Sequence, residues 1–388
     1  MKSFFSLYIV EGRRGGLETA DRFRRGKDRR LVPSKKLQSI QYLRAIAALM
    51  VAYFHLCPQI EAYTSSLTGP AWLGVAQFPA GVDIFFVISG FIMVATSQRL
   101  GPRTFLLRRL IRIIPLYWIA TLGLVGAALL FPTLFKETNP NLLDTARSLL
   151  FIAFHNAAQQ GKMLPLLVPG WTLNLEMCFY AVFTVTLFAS IRPYQIWIVG
   201  VLFLALLLIG LHVSNQDSLL WFYTQPRIFE FWIGMVIGRI SITNKMRAPV
   251  PLAYGLLALG VVLTVTALPQ ALQNPISFMI GPALCAIGAV CAERSGAMPN
   301  LPFLELLGDA SYSIYLTHVF TFGVTRTLWR FVHAGTSTAA VIGFAVFSLV
   351  SVVAVALLSY RFIETPTLKW LQNALELGRP ARAVAVAP

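Results

Sequence analysis

Long runs of apolar residues, separated by short polar stretches, recur along this chain from residue 37 to residue 360. Most of these runs approach the roughly 20 residues that an α-helix needs to cross the hydrocarbon core of a bilayer. The pattern therefore predicts an all-α, polytopic membrane bundle of about ten transmembrane helices. The predicted spans are 37–57, 81–98, 110–131, 171–190, 195–213, 228–240, 251–268, 275–292, 310–331 and 338–360.

The composition agrees with a membrane protein, since 56% of the residues are hydrophobic and only 12% are charged. Soluble domains carry about a quarter charged residues. The net charge of +16 would suggest nucleic acid as a partner of a soluble protein, but no nucleic-acid-reading motif accompanies it. The four cysteines match no zinc pattern, so we expect them to pack in the core and we expect no metal site.

The distribution of positive charge sets the predicted orientation, because lysine and arginine are retained on the cytoplasmic side of membrane proteins. With ten spans and a cytoplasmic N-terminus, 25 of the 32 lysine and arginine residues fall inside and six fall outside. Treating the ambiguous segment 142–157 as an eleventh span would move the basic clusters at 239–247 and 361–382 outside. We therefore expect ten spans and both termini in the cytoplasm.

This topology predicts three parts of the chain. Residues 1–36 form a basic cytoplasmic tail, residues 37–365 form the membrane domain, and residues 366–388 form a second cytoplasmic tail. The stretch 132–170 is left as a long extracytoplasmic segment that could be re-entrant, and loops of this length are usually functional.

Ionisable residues inside the apolar spans are functional candidates, because a charge in hydrocarbon is expensive. The first span contains Arg44 and His55, which lie about 16 Å apart along a helix with a rise of 1.5 Å per residue. Asp83 lies at the start of the second span, and Glu176 lies about one turn inside the fourth. These positions predict an outer layer that contains His55, Asp83 and Glu176.

An inner layer is predicted around the basic cluster that precedes the third span. Guanidinium groups bind phosphate oxygens bidentately, so such a cluster suits a phosphorylated ligand that enters from the cytoplasm. An imidazole beside a carboxylate suits general-base activation of a hydroxyl. The residues assigned to the inner half or its edge are Arg44, Arg108, Arg109, Arg112, Tyr312, His318 and Glu364.

Each candidate also has a structural interpretation. A single histidine near a membrane interface is more often a satisfied structural residue than a base. Arginines just inside a span are mostly topology signals. Asp83 could cap its helix, because a carboxylate in the first turn stabilises orphan amides. Glu176 lies deeper and is harder to explain in this way.

Five segments in this order resemble the acyltransferase family 3 of membrane O-acyltransferases. They are QYLRAIAALMVAYFH, GVDIFFVISGF, RRLIRIIPLYW, PGWTLNLEMCFYAVF and LGDASYSIYLTH, and they cover about 37–365. Within the family the chain most resembles exopolysaccharide O-acetyltransferases of the succinoglycan type. The resemblance implies transfer of an acetyl group from cytoplasmic acetyl-CoA to a sugar hydroxyl at the extracytoplasmic face of the bacterial inner membrane.

The resemblance also assigns residues. Arg44 and His55 match the family's Arg-(ten residues)-His pair, Arg109 and Arg112 match its paired arginines, and Glu176 matches the glutamate of its tryptophan motif. The carboxylate that pairs with His55 stays open between Glu176 and Asp83. The expected catalytic residues are therefore His55, Glu176 and Asp83, and the residues expected to bind coenzyme A are Arg44, Arg108, Arg109 and Arg112.

The expected partners are a polysaccharide or lipid-linked oligosaccharide acceptor, membrane lipid and a polysaccharide assembly machinery, without nucleic acid. Two alternatives remain open. A transporter or flippase of an anionic lipid-linked sugar would also use buried arginines, without dependence on acyl-CoA. A non-catalytic subunit of a polysaccharide assembly complex would tolerate the loss of Arg44 and His55 together.

Overall fold

The computed structural model describes residues 37–64, 80–98, 100–131, 140–189, 194–215, 218–243, 246–266, 275–332 and 337–377. The predicted tail at 1–36 lies outside these residues, and the predicted C-terminal tail is described only to residue 377. The described residues are almost entirely helical. A two-residue antiparallel ladder, which pairs His155–Asn156 with Lys162–Met163, is the strand structure found among them.

Fourteen α-helices lie among the described residues. In chain order they are α1 (Gln38–Thr64), α2 (Ala80–Ser97), α3 (Pro102–Leu130), α4 (Leu142–Leu149), α5 (Gly170–Phe188), α6 (Gln195–Gly210), α7 (Leu219–Tyr223), α8 (Ile228–Ile242), α9 (Val250–Val265), α10 (Pro275–Arg294), α11 (Pro302–Asp309), α12 (Ser311–Val332), α13 (Thr338–Ser359) and α14 (Thr365–Ala374). A π-helical turn at Tyr360–Glu364 joins α13 to α14.

Each of the ten predicted spans coincides with a helix. Among the described residues, five helical stretches are long and apolar enough to cross a membrane: Gln38–Ile60, Ala80–Ser97, Pro102–Leu130, Gly170–Phe188 and Thr338–Ala374. The helices α6 and α9 are apolar but shorter. The protein is thus a multi-pass helical membrane bundle.

The outer faces of the peripheral helices carry large apolar side chains that are exposed. Trp197 and Val201 of α6 are 69% and 68% exposed, and Val350 of α13 is 63% exposed. A helix that is apolar on its outer face as well as its inner face suits lipid rather than water as its surroundings.

The centre of the bundle depends on a close crossing of α2 and α8. A Cβ atom added at Gly90 would lie 1.9 Å from the Phe231 carbonyl oxygen, and one added at Gly234 would lie 2.0 Å from that of Val87. Only hydrogen at these positions lets the two backbones approach so closely, which is the usual role of small residues between membrane helices.

The first helix is anchored by a residue from a distant part of the sequence. The Glu293 carboxylate of α10 accepts hydrogen bonds of 2.9 Å from the backbone amides of Gln38 and Ser39, and another from the Ser39 hydroxyl. These amides open α1 and have no partner within the helix. Glu293 therefore caps α1 and fixes its N-terminal end.

Two sequence expectations need correction. The third span was expected to begin at residue 110, but α3 begins at Pro102, so that Arg108 and Arg109 lie on the helix and not before it. The ambiguous segment 142–157 contains α4, an eight-residue helix with Asn141 as its N-cap, followed by the small ladder. Trp118 of α3 donates a hydrogen bond to the Leu149 carbonyl and holds α4 against the bundle.

Candidate active site

A cavity with a polar wall lies inside the bundle, between α1, α2, α3, α5 and α12. It holds about 760 Å³ of space between atoms, including its open mouth. Phe85, Phe86 and Ile88 form part of its apolar wall. Its polar lining consists of Arg44, Ser89, Arg109, Arg112, Thr172, Glu176, Tyr180, Ser311, Tyr312 and Tyr315. Four of the predicted site residues, three of them cationic, are therefore brought together by helices distant in sequence.

Glu176 is fixed within this cavity by two hydroxyl groups. Its Oε1 accepts hydrogen bonds of 2.5 Å from Ser89 Oγ on α2 and from Tyr180 Oη one turn later on α5. Arg44 and Arg109 both lie within electrostatic reach of the Glu176 carboxylate. The structure thus places Glu176 beside the arginines of the inner layer and not in the outer layer with His55.

Arg109 faces the cavity from α3. It donates a hydrogen bond of 2.7 Å to Thr96 Oγ1, and its guanidinium lies 5.6 Å from the centre of the Phe105 ring. Arg108, one residue earlier, donates instead to the backbone carbonyl of Leu377, after α14, and does not line the cavity. The predicted coenzyme A cluster is therefore divided between two faces of α3.

Arg112 is buried and forms an ion pair with Glu364, at the end of the π-helical turn. Ser313 Oγ donates a hydrogen bond of 2.6 Å to the other Glu364 oxygen. The guanidinium of Arg112 also lies 5.4 Å from the centre of the Tyr312 ring. Because Glu364 already binds this guanidinium, an anionic ligand at Arg112 must share it with a carboxylate.

His55 lies further along α1 than Arg44 and does not line the cavity. Its Nδ1 lies 2.9 Å from the Val51 carbonyl oxygen, and a carbonyl can only accept a hydrogen bond. In the neutral ring the proton therefore belongs on Nδ1, and Nε2 keeps its lone pair. The ring centre of His55 lies 4.9 Å from that of His318 on α12.

Neither predicted carboxylate partner of His55 is bonded to it in the described part of the chain. Asp83 is buried and forms an ion pair of 3.0 Å with Arg227, whose guanidinium lies 5.6 Å from the centre of the Trp171 ring. Three residues beyond Arg227, Glu230 is fully buried, and neither of its carboxylate oxygens has a hydrogen-bond partner among the described residues. Asp83 thus belongs to a separate acidic cluster at the start of α2 and α8.

The neighbour of His55 differs from the sequence prediction. His318 is predicted in the cytoplasmic half, whereas the structure places its ring against His55, at the level expected for the outer layer. Tyr180 was not predicted as a partner of Glu176, although a separation of four residues on one helix predicts such contact. The contact between Ser89 and Glu176 joins positions 87 residues apart and had no sequence signal.

The membrane bundle thus surrounds a cavity lined by three arginines, and His55 lies further along α1 than the Arg44 of that lining. The chain matches the acyltransferase domain family over residues 37–361, and it belongs to this family, acyltransferase family 3. The protein is therefore an acyltransferase. Among the described residues, no group of histidine, cysteine, aspartate and glutamate side chains could hold a metal ion.

Three relatives show how far the similarity extends. The exopolysaccharide production protein ExoZ of Rhizobium meliloti (strain 1021) is 42% identical over 252 residues, which cover 63% of this chain and 77% of that protein. BcsY of Komagataeibacter xylinus, named a membrane-bound transacylase, is 26% identical, and the match covers 86% of that protein. A protein of Staphylococcus aureus (strain COL), named an O-acetyltransferase, is 27% identical, and the chain spans 56% of its length. No solved structure matches the chain.

Proposed function

We propose that this acyltransferase is a membrane O-acetyltransferase that moves the acetyl group of cytoplasmic acetyl-CoA to a sugar hydroxyl. The acceptor is an exopolysaccharide or its lipid-linked repeat unit at the extracytoplasmic face of the bacterial inner membrane. The observation that carries the proposal is the cavity that gathers Arg44, Arg109 and Arg112 within the bundle, with His55 further along α1. The similarity to ExoZ, an exopolysaccharide production protein, supports the acceptor class.

The donor end of the reaction depends on the arginines. Phosphate oxygens of coenzyme A would bind the guanidinium groups of Arg109 and Arg112, with Arg44 deeper in the cavity. Binding at Arg112 requires Glu364 to share or release that guanidinium. The distance of about 16 Å along α1 between Arg44 and His55 is one that an extended acyl carrier arm can cover.

The acceptor end depends on His55. Nε2 takes the proton of the sugar hydroxyl, the hydroxyl oxygen attacks the thioester carbonyl carbon, and the carbon–sulfur bond breaks. The protonated imidazole then returns its proton to the departing thiolate, so that the cycle consumes no additional proton. In a second version, Nε2 attacks the thioester carbonyl carbon, and the carbon–sulfur bond breaks to release the thiolate. The sugar hydroxyl oxygen then attacks the acetyl group on Nε2, the carbon–nitrogen bond breaks, and the hydroxyl proton neutralises the thiolate.

The first test compares exopolysaccharide from the wild type, a deletion strain, and the deletion complemented with His55→Ala or with His212→Ala. His212 is the matched control, because its Nδ1 also contacts the carbonyl four residues earlier but its side chain is exposed. We expect the O-acetyl methyl signal in the NMR spectrum to disappear in the deletion and the His55 strain and to persist in the control.

The donor is tested separately with acetyl-CoA labelled in the acetyl group and inner-membrane vesicles from the deletion strain, which supply the acceptor. Purified His55→Ala should still bind coenzyme A, measured by calorimetry, while transfer is lost. An unchanged acetyl signal in the deletion strain, with altered polymer yield, would instead favour a transporter or a subunit of an assembly complex.

A further inference from the structure

Two imidazole rings lie in contact inside the membrane domain. The ring centres of His55 on α1 and His318 on α12 are 4.9 Å apart, with their planes inclined by 47°. His55 is half-buried, whereas His318 is 0% exposed. The contact is therefore internal to the bundle, and one of its two members is the base of the proposed reaction.

The hydrogen-bonding state of His318 follows from its surroundings. Its Nδ1 lies 3.2 Å from the Ile314 carbonyl oxygen, which can only accept, so Nδ1 carries the proton. Its Nε2 is buried and has no hydrogen-bond partner among the described residues. A buried imidazolium without a partner would be costly, so His318 is neutral and presents an unused lone pair.

No carboxylate of the described residues is hydrogen-bonded or ion-paired to either ring. The aromatic neighbours of His318 are Tyr315 and Phe322, with ring centres at 6.1 Å and 5.9 Å. On α1, Tyr53 and Cys57 flank His55, and Glu61 follows near the end of the helix. Neither α13, from Thr338 to Ser359, nor residues 65–79 contain an ionisable side chain.

We propose that His318 is a positioning residue for His55. Its buried ring holds the His55 ring in one orientation. Because Nδ1 of His55 is bonded to the Val51 carbonyl, the proton taken from the sugar hydroxyl resides on Nε2, and His318 Nε2 accepts a hydrogen bond from this Nε2–H until the thiolate takes the proton. This inference rests on the proposed function, since it assigns a partner to the base of that reaction. His318 itself touches neither the acetyl group nor the sugar.

The proton balance of the transfer is unchanged by this assignment. The proton that leaves the sugar hydroxyl resides on His55 and returns to the thiolate, and the hydrogen bond to His318 only stabilises the intermediate cation. Because the partner is neutral, it stabilises this cation less than a carboxylate would. The proton is therefore returned more easily, which suits a thiolate as its destination.

The test measures acetyl transfer from labelled acetyl-CoA by the purified full-length chain, added to inner-membrane vesicles of the deletion strain. The variants are His318→Leu, His318→Gln and, as a matched control, His212→Leu. Each rate is normalised to folded protein, measured by size-exclusion chromatography in detergent, so that a loss of fold is separated from a loss of rate.

We expect His318→Leu to lower kcat about 100-fold, the order of effect that a misplaced catalytic group produces, with KM for acetyl-CoA unchanged. The acidic limb of its pH–rate profile should move to lower pH, because His55 alone holds its proton less firmly. His318→Gln, which keeps a polar group near the position of Nε2, should recover a substantial part of kcat. The His212 control should equal the wild type.

Two results would overturn the inference alone. One is a His318→Leu variant whose kcat and pH–rate profile equal those of the wild type. The other is an equal loss in the leucine and glutamine variants with an unmoved pH profile, which would indicate a packing role. If the wild type itself transfers no acetyl group, the proposed function is wrong and the inference is wrong with it.

Discussion

Arg112 belongs both to a buried ion pair and to the lining of the cavity. It is buried, paired with Glu364 and stacked near Tyr312, and it also lines the cavity. A carboxylate that neutralises a buried arginine makes it cheaper to keep in hydrocarbon. Under the proposed function, the same carboxylate would compete with a phosphate group of the donor for Arg112.

Removing the charge of Glu364 should therefore destabilise the fold. Glu364→Gln leaves the Arg112 guanidinium without its buried counter-charge. Removing one member of a buried ion pair lowers the free energy of unfolding by about 3 kcal/mol or more. The matched control is Asp144→Asn, which breaks the partly exposed Asp144–Arg147 pair, worth about 1 kcal/mol or less. The thermal unfolding midpoint in detergent should fall clearly for Glu364→Gln and barely for the control; equal midpoints would contradict the argument.

We expect Arg109 to contribute to donor binding and to contribute less to the stability of the fold than the Arg112–Glu364 pair does. Arg109→Ala should raise KM for acetyl-CoA about tenfold, since a charge-assisted hydrogen bond is worth roughly 1.5–3 kcal/mol. Arg103, exposed and earlier on the same helix, gives the control Arg103→Ala with unchanged KM. Steady-state transfer kinetics check both, and an unchanged KM in Arg109→Ala would remove this residue from the donor site.

Helices α2 and α8 are the elements whose contact defines the centre of the bundle. Gly90→Ala adds a Cβ atom that would lie 1.9 Å from the Phe231 carbonyl oxygen, and a backbone atom cannot rotate away. We expect loss of most folded protein in fluorescence-detected chromatography. Gly255→Ala on α9, where an added Cβ meets nothing within 4 Å, should behave like the wild type. Normal folding of Gly90→Ala would show that the crossing tolerates separation.

The ten long helices could be predicted from the sequence because each contains a continuous run of apolar residues, which is recognised without knowing the contacts between helices. The short helices α4, α7 and α11 could not, since five to eight residues carry too little periodicity. The π-helical turn at Tyr360–Glu364 had no signal either, and it positions Glu364 for Arg112. The arginines of the site were found as charges in apolar segments, whereas the contacts of Glu176 and His55 depend on how separate helices pack.

At the scale of the whole molecule, the prediction that is open to a direct test is the number of spans. We expect Lys162→Cys to react with a membrane-impermeant maleimide in intact cells and Arg247→Cys to react only after lysis, in a background without the four native cysteines. Both positions are exposed in the structure. An eleventh span at 142–157 would reverse both results, because it inverts everything that follows it.

The cap that Glu293 places on α1 has a consequence for biogenesis. The carboxylate and the amides that it binds are 254 and 255 residues apart, so the helix that leaves the ribosome first is completed by a residue made much later. Until α10 has been synthesised, the opening amides of α1 lack the carboxylate that caps them. The cap on the first long helix therefore forms only when the eighth long helix packs against it, after both have been inserted.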